Sequence, residues 1–236
     1  MKNTLAECGD CDSCCFGKIC KDYLFDNPVP QLVQSLERKR CYKKGESLFS
    51  CGDEVTHLLA LRRGAIKLYD AAGNIQNLFI SGQLINGDAL HNGRYHYDAI
   101  AATDTEICML ETRRLYDLSL ITTDFLNYTL ALLSRAVYEN QRLISVLTRG
   151  EAAGRICAFI SLLSQKLEEN TFPHQHFSLP VTLKEMATLL AISPSTQNRI
   201  INELCLQGII ATEKKEIIII NKELLWQRCN FNHFPL

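Results

Sequence analysis

The chain has 236 residues, of which 47% are apolar and 22% charged, and its net charge is −1. That length allows two modest domains with their own cores. It excludes a helical membrane span, since no stretch approaches the roughly 18 uninterrupted apolar residues a span needs. The charge excludes nucleic-acid binding driven by bulk electrostatics, but not by a few locally placed cations. Residues Met1 to Glu7 carry no apolar h-region, so a cytoplasmic location and no membrane partner are expected.

The 11 cysteines are unevenly spread, and Cys8, Cys11, Cys14, Cys15 and Cys20 crowd the amino-terminal end. In a reducing compartment such crowding points to metal binding or redox chemistry rather than a disulfide framework. Residues 1–22 lack helical periodicity and read as a loop that needs a metal to hold it. Residues 23–38 read as a short helix with Leu32, Val33 and Leu36 on one side. Cys41, Cys51, Cys157, Cys205 and Cys229 are expected to serve as small core hydrophobes.

From Cys41 to about Leu118 the pattern becomes short strands. His57–Leu61 and Ala65–Tyr69 are apolar runs, bounded by glycines at 45, 52, 64, 73 and 82. Turn signals at this spacing predict a β-sandwich or roll. Asp70–Asn74 suits a hairpin turn, because Gly and Asn tolerate positive φ. A short helix from Leu110 to about Leu118 is expected to close the roll.

Residues 124–148 read as one long helix. Leu130, Leu133, Val137, Asn140, Ile144 and Leu147 advance by 3, 4, 3, 4 and 3. That is the a/d seam of a coiled coil, and it predicts a parallel homodimer. Asn140 is its one polar position, the kind that fixes register and partner number. Thr148-Arg149-Gly150 then makes a hinge. A further helix over 151–167 turns Ile156, Phe159, Ile160 and Leu163 inward. Thr171–His176 reads as a loop with solvated histidines.

The next segment carries the most local information. Thr182 precedes Leu183–Leu190, with Glu185 three positions on, which is a capping-box start. Ala191-Ile192-Ser193 makes a turn; Ser193 caps a second helix and Pro194 fits its first position. That helix runs to about Leu206, and Gly208 ends it. Two short helices joined this way form a helix-turn-helix. Its second helix would enter the major groove of double-stranded DNA with Ser195, Thr196, Asn198 and Arg199 outward. Arg199 suits guanine and Asn198 suits adenine, while Ser195 and Thr196 suit phosphates near the helix start. Ile209–Thr212, a Glu213–Glu216 turn and Ile217–Ile220 predict a hairpin wing, with Lys214 and Lys215 at its tip near the DNA backbone.

Taken together, the β-roll glycines Gly45, Gly52 and Gly64, the long helix and the winged helix-turn-helix resemble the cyclic AMP receptor protein and FNR superfamily over nearly the whole chain. The FNR branch, oxygen-responsive regulators of anaerobic metabolism, is the more similar. In that branch three amino-terminal cysteines and one on a late strand bind a 4Fe–4S cluster. The spacing Cys11-x2-Cys14-x5-Cys20, with Cys108 in Thr105–Leu110, fills all four positions. The resemblance therefore implies a 4Fe–4S cluster on Cys11, Cys14, Cys20 and Cys108, and thiolates are the soft ligands such clusters take. It implies that oxygen degrades the cluster, releases the loop and weakens the dimer on its palindromic site. RNA polymerase is an implied partner, with Asp70–Asn74 as the loop that would meet it.

Several positions depart from the family. Asn86-Gly87-Asp88-Ala89 and His96-Tyr97 stand where the cyclic-nucleotide branch holds its ligand with a Glu and an Arg-Ser pair, so no cyclic nucleotide is expected. The reading helix keeps Arg199 of the FNR pattern E-x-x-S-R, but Ser195 and Asn198 replace the Glu and the Ser, which predicts a changed target. Gln197 sits where the family places a buried apolar residue. Neutral Asn140 replaces an acidic residue in the seam, so dimerisation should depend less on the cluster.

The expected fold class is α+β. It comprises a cysteine-rich segment 1–22, a jelly-roll-like β-roll sensor domain 23–118, a dimerisation helix 119–148 and a winged helix-turn-helix domain 149–236. Three alternatives stay open. Cys8 or Cys15 could replace a cluster ligand, and Cys8, Cys11, Cys14 and Cys20 could instead make a zinc knot. A thiol–disulfide switch through Cys14, Cys15 or Cys20 would keep the same fold. An iron–sulfur electron-transfer protein would make the helix-turn-helix incidental. No nucleophile–base constellation and no phosphate-binding glycine loop points to an enzyme.

Overall fold

The protein is described from a computed structural model, over residues 14–26, 36–115, 123–169, 175–213 and 216–229. Leu32 and Val33 lie outside these residues, as do Cys8, Cys11, Lys214 and Lys215. The chain divides into two compact units, the division falling within one long helix between Val137 and Tyr138, with residues 74–76 grouped with the second.

The first unit opens with a short helix, α1 (Gly17–Cys20), which continues into a π-helical turn over Lys21–Asp26. The described end of the segment expected to be a loop is thus helical. Phe16, Ile19 and Cys20 are buried on one side of it, and that burial stabilises a turn too short to persist alone. Leu36 was expected on a helix and instead begins strand β1 (Leu36–Tyr42). There it faces Leu110 across an antiparallel ladder.

Six further strands complete two sheets. They are β2 (Ser47–Phe49), β3 (His57–Arg63), β4 (Ala65–Tyr69), β5 (Ile75–Ile80), β6 (Asp98–Ala101) and β7 (Thr105–Glu111). One sheet has the order β1-β7-β3 and the other β2-β6-β4-β5. The β4–β5 turn forms as expected: the Asp70 carbonyl accepts from the Gly73 amide at 2.9 Å. Leu110 belongs to β7 rather than to the expected closing helix, and a 3-10 turn over Thr112–Arg114 comes next; residues 116–118 of that expected helix lie outside the described residues. Gly64 joins β3 to β4 at φ +95°, and a Cβ there would lie 2.5 Å from the Asp104 carbonyl oxygen.

Strand β7 is buried on both faces. Side chains alternate along a strand, so Ile107 and Met109 enter one core with Leu59, Leu61, Ile66 and Phe79. Cys108 and Leu110 point the other way, into a second core with Leu58, Ala60, Phe16, Ile19 and Leu36. Burial on both sides explains the unbroken apolar run Ile107–Leu110.

The second core is closed by helix α2 (Thr123–Leu147). Phe125 and Leu132 are buried in it, with Tyr128, Leu133 and Ala136 packed alongside. Those positions share one helical face. Gly87 allows close approach, since a Cβ would meet Leu84 at 2.9 Å and Leu133 at 3.5 Å.

The second unit holds the end of α2 and helix α3 (Ala152–Glu169), whose Ile156, Phe159, Ile160 and Leu163 are buried as expected. Lys166 and Glu139 make a largely buried ion pair at 3.3 Å between α3 and α2. Strand β8 (His176–Ser178) follows, then helices α4 (Leu183–Leu189) and α5 (Pro194–Leu206). The described chain ends with β9 (Ile210–Glu213), β10 (Glu216–Ile219) and α6 (Lys222–Arg228). Strand β8 joins the wing, giving the order β8-β10-β9. His176 is therefore a strand residue, paired with Glu216 at 2.8 Å, and not a loop histidine.

Candidate functional site

The first unit gathers cysteines that are remote in sequence. Cys14, Cys15, Cys20 and Cys108 are all buried in the core under α2. Cys108 is placed by the β7 register, opposite Ala60, whose small side chain leaves room on that face. The Cys14 thiol shares hydrogen bonds with those of Cys108 and Cys15. The helix reaches the same segment directly, because the Tyr128 hydroxyl donates to the Cys15 carbonyl at 3.1 Å.

The environment keeps the Cys14 and Cys108 thiols protonated. The hydrogen bond with Cys108 lowers the Cys14 pKa, but the hydrogen bond with Cys15, burial and the charge of Cys15 outweigh it and push it up to about 12. Cys108 is also raised, first by its hydrogen bond to Cys14 and then by burial. None of the nine described cysteines is in a disulfide. Among the described residues no three His, Cys, Asp or Glu side chains converge closely enough to hold a metal ion. The donor set still suits a thiolate-bound group. Two of the four assigned cysteines touch, a third is buried in the same core, and a bound cationic centre is what would let such thiols ionise.

The expected core role of the scattered cysteines holds for some only. Cys157 and Cys229 are fully buried, and burial raises their thiols to about 12 and about 11. Cys41 and Cys51 are exposed and Cys205 is half-buried. Cys41 sits on the exposed end of β1 and Cys51 in the turn after β2, so both side chains face solvent.

Helix α2 carries a second feature. Leu126, Leu130, Val137 and Ile144 are among the exposed large hydrophobics. Asn140 is exposed on the same stripe, and Leu133 and Leu147 are half-buried along it. An apolar line at heptad spacing, beside the face that packs on the cysteine core and sharing Leu133 with it, is the surface a coiled-coil partner covers.

The second unit presents the helix-turn-helix. Thr182 caps α4 through the Glu185 amide, and the Glu185 carboxylate accepts from the Thr182 amide at 2.7 Å, so the capping box is complete. Ser193 caps α5 by accepting from the Thr196 amide at 3.1 Å. Between them Ala191 adopts φ +52°. The Arg155 guanidinium donates from α3 to the Leu190 and Ala191 carbonyls, at 3.0 and 3.3 Å, and holds this turn.

Along α5, Ser195, Asn198 and Arg199 are exposed, while Ile200, Ile201 and Leu204 are buried. Thr196 is half-buried rather than exposed, because its hydroxyl is tied to that of Ser193 at 2.8 Å. Gln197 is buried and its amide donates to the Leu183 carbonyl at 2.8 Å, so the helix pair is pinned by a polar residue.

In the first unit, Asn86 is buried. Its oxygen accepts from the Leu59 amide at 2.9 Å and its nitrogen donates to the His57 carbonyl at 2.8 Å. Tyr95, stacked on Phe49 with ring centroids 3.7 Å apart, packs nearby.

Two family descriptions match these two regions in turn. The cyclic nucleotide-binding domain matches residues 39–120, and the Crp-like helix-turn-helix domain matches residues 154–228. The chain belongs to the CRP/FNR family of transcription regulators. It is a DNA-binding regulator, and its family implies dimer formation.

Among CRP/FNR regulators, the fumarate nitrate reduction regulatory protein of Klebsiella oxytoca is 29% identical over 222 residues, covering 92% of this chain and 89% of that protein. The fumarate and nitrate reduction regulatory protein of Escherichia coli K12 is 28% identical over the same lengths. The fold is shared with FixK2 of Bradyrhizobium japonicum, at a TM-score of 0.71 and 18% identity over 83% of this chain and 98% of that one. It is shared too with a CRP/FNR regulator of Thermus thermophilus, at a TM-score of 0.63 and 21% identity over 83% and 100%.

Sequence reasoning missed three residues of this CRP/FNR frame. Arg155 and Tyr128 act through backbone carbonyls distant in sequence, which no local pattern announces. Glu203, whose Oε1 accepts from the Arg199 Nη1 at 2.6 Å, was legible, since it stands four residues after Arg199 on the same helical face.

Proposed function

We propose that this regulator senses oxygen or redox state through a 4Fe–4S cluster on Cys11, Cys14, Cys20 and Cys108, and binds a palindromic promoter site as a homodimer without a cyclic nucleotide. The observation that carries the reading is the shared core: Cys14, Cys20 and Cys108 are buried against Phe125 and Leu132 of the very helix that bears the exposed seam. When bound, the cluster supplies reactivity toward oxygen and a covalent tie between the amino-terminal segment and β7. The chain's own residues do the rest. Tyr128 fastens the Cys15 backbone to α2. Phe16 and Ile19 seat the segment on that helix, so its position bears on the seam formed by Leu130, Leu133, Val137, Asn140, Ile144 and Leu147.

At the DNA, Arg199 is the guanine reader and Asn198 its neighbour, with Ser195 and Thr196 at the phosphates near the start of α5. Lys214 and Lys215, outside the described residues, would meet the backbone from the wing tip. The lack of the Glu and the Arg-Ser pair supports the absence of a cyclic nucleotide, and Asn86 in that stretch bonds strand β3 through both its oxygen and its nitrogen. RNA polymerase is the proposed partner of the promoter-bound dimer.

Anaerobic purification tests the sensor. The expected product is brown, holds about four irons per chain, and loses them when Cys108 is changed to Ser. Colourless protein whose DNA affinity follows thiol reductant would replace this reading with the disulfide switch, which the Cys14–Cys108 contact also permits. With neutral Asn140 in the seam, iron-free protein is expected to sediment as a dimer at micromolar concentration. A monomer there would overturn the seam argument.

A further inference from the structure

The reading helix carries almost no charge of its own. Over Pro194–Leu206 its charged residues are Arg199 and Glu203, one of each sign. The two are joined: the Arg199 Nη1 donates to the Glu203 Oε1 at 2.6 Å, with both side chains well exposed. A DNA-facing helix gains attraction to phosphate from every cation and loses it to every carboxylate. A carboxylate kept four residues from the only cation is therefore costly for affinity as such.

We infer that Glu203 is a specificity-positioning residue, whose carboxylate holds the Arg199 guanidinium along the axis of α5 in the pose that presents two donors to a guanine. The inference rests on the reading of Arg199 as the guanine contact.

The physical argument has two parts. An unrestrained arginine side chain spreads over many rotamers and finds a phosphate as readily as a base edge. A bidentate guanine contact needs the planar fork aimed at O6 and N7 together. A one-bond tether from Nη1 to Glu203 fixes the plane and leaves the other guanidinium nitrogens for the base. The same carboxylate repels the phosphates flanking the groove, so a guanidinium that strays toward the backbone loses its partner there. Glu203 thus lowers non-specific binding and sharpens base choice. The pair lies on the surface of one helix, so it contributes little to folding.

The test uses full-length protein and a random-sequence duplex library, with bound molecules sequenced. Wild type, Glu203→Gln and Arg199→Ala are compared, and each is also titrated with a scrambled duplex over a range of salt. The wild type should select a site with a guanine in each half. Arg199→Ala should lose that preference by about tenfold or more. Glu203→Gln should keep the same site but discriminate the guanine about three- to tenfold less, while binding the scrambled duplex about two- to threefold more tightly at low salt. A residue with a merely structural role would not move those two readouts in opposite directions. Arg199→Ala losing the preference while Glu203→Gln matches wild type would overturn the positioning role and leave the guanine reading standing. Retention of the guanine preference by Arg199→Ala would overturn the guanine reading and this inference with it.

Discussion

The cysteine core and the second helix of the helix-turn-helix handle polar chemistry in opposite ways. Under α2, the groups that would meet a cofactor are sealed: Cys14, Cys15, Cys20 and Cys108 lie among Phe16, Ile19 and Phe125. On α5, the proposed base-reading side chains Asn198 and Arg199 stand in water, and the helix's back face is buried. The buried arrangement links function to folding, because the thiols are part of what packs. The exposed arrangement frees function from folding, because Asn198 and Arg199 would read bases without contributing to the packed core. A change in the first region should alter stability together with the proposed sensing. A change in the second should alter binding alone.

Thiol labelling gives the largest contrast. In iron-free protein at pH 8, Cys41 and Cys51 should react with maleimide on the order of a hundredfold or more faster than Cys14 and Cys108. The sign follows from the raised pKa of about 12 at Cys14, which leaves roughly one thiol in ten thousand ionised at that pH. Equal rates at all of them would mean that the cysteine segment is not part of the core.

Phe125→Ala should cost about 3–5 kcal/mol in urea unfolding of the full chain, because a fully buried ring is removed from the cysteine core. A loss under about 1 kcal/mol would show that the segment is a loosely held cover instead. The smallest effect has the opposite sign. Ala191→Gly, in the turn at φ +52°, should stabilise by about 0.5–1 kcal/mol with base selection unchanged. Altered base selection would deny the separation of reading from folding.

That separation also decided what the sequence could reveal. The helix-turn-helix was readable almost residue by residue, since capping box, Pro194, turn and outward face are local patterns within about twenty-five residues. The apolar stripe on α2 was readable because a heptad is periodic and its exposed members stay in register. The cysteine core was readable only as a set of residue types. Nothing local says that Cys108 faces Ala60 or that Tyr128 reaches the Cys15 carbonyl. Leu36 misled for a related reason: with Leu32 and Val33 it has helical spacing, yet its partner Leu110 lies across a ladder far along the chain. Strand β8 went unread because three residues, His176-Phe177-Ser178, carry too little alternation to stand out. Thr196 was read as exposed because the Ser193 hydroxyl that holds it belongs to the cap.

Strand β7 sets a further constraint. Its successive residues belong to different cores, Ile107 and Met109 to one and Cys108 and Leu110 to the other. A single-residue insertion or deletion in its first half would exchange the two sets, turning the thiol into the roll's interior and an aliphatic chain toward the amino-terminal segment. Descendants of this chain can therefore vary β7 by substitution but not by length, and a relative with an alignment gap between Thr105 and Cys108 would no longer turn a thiol at this position toward the amino-terminal segment.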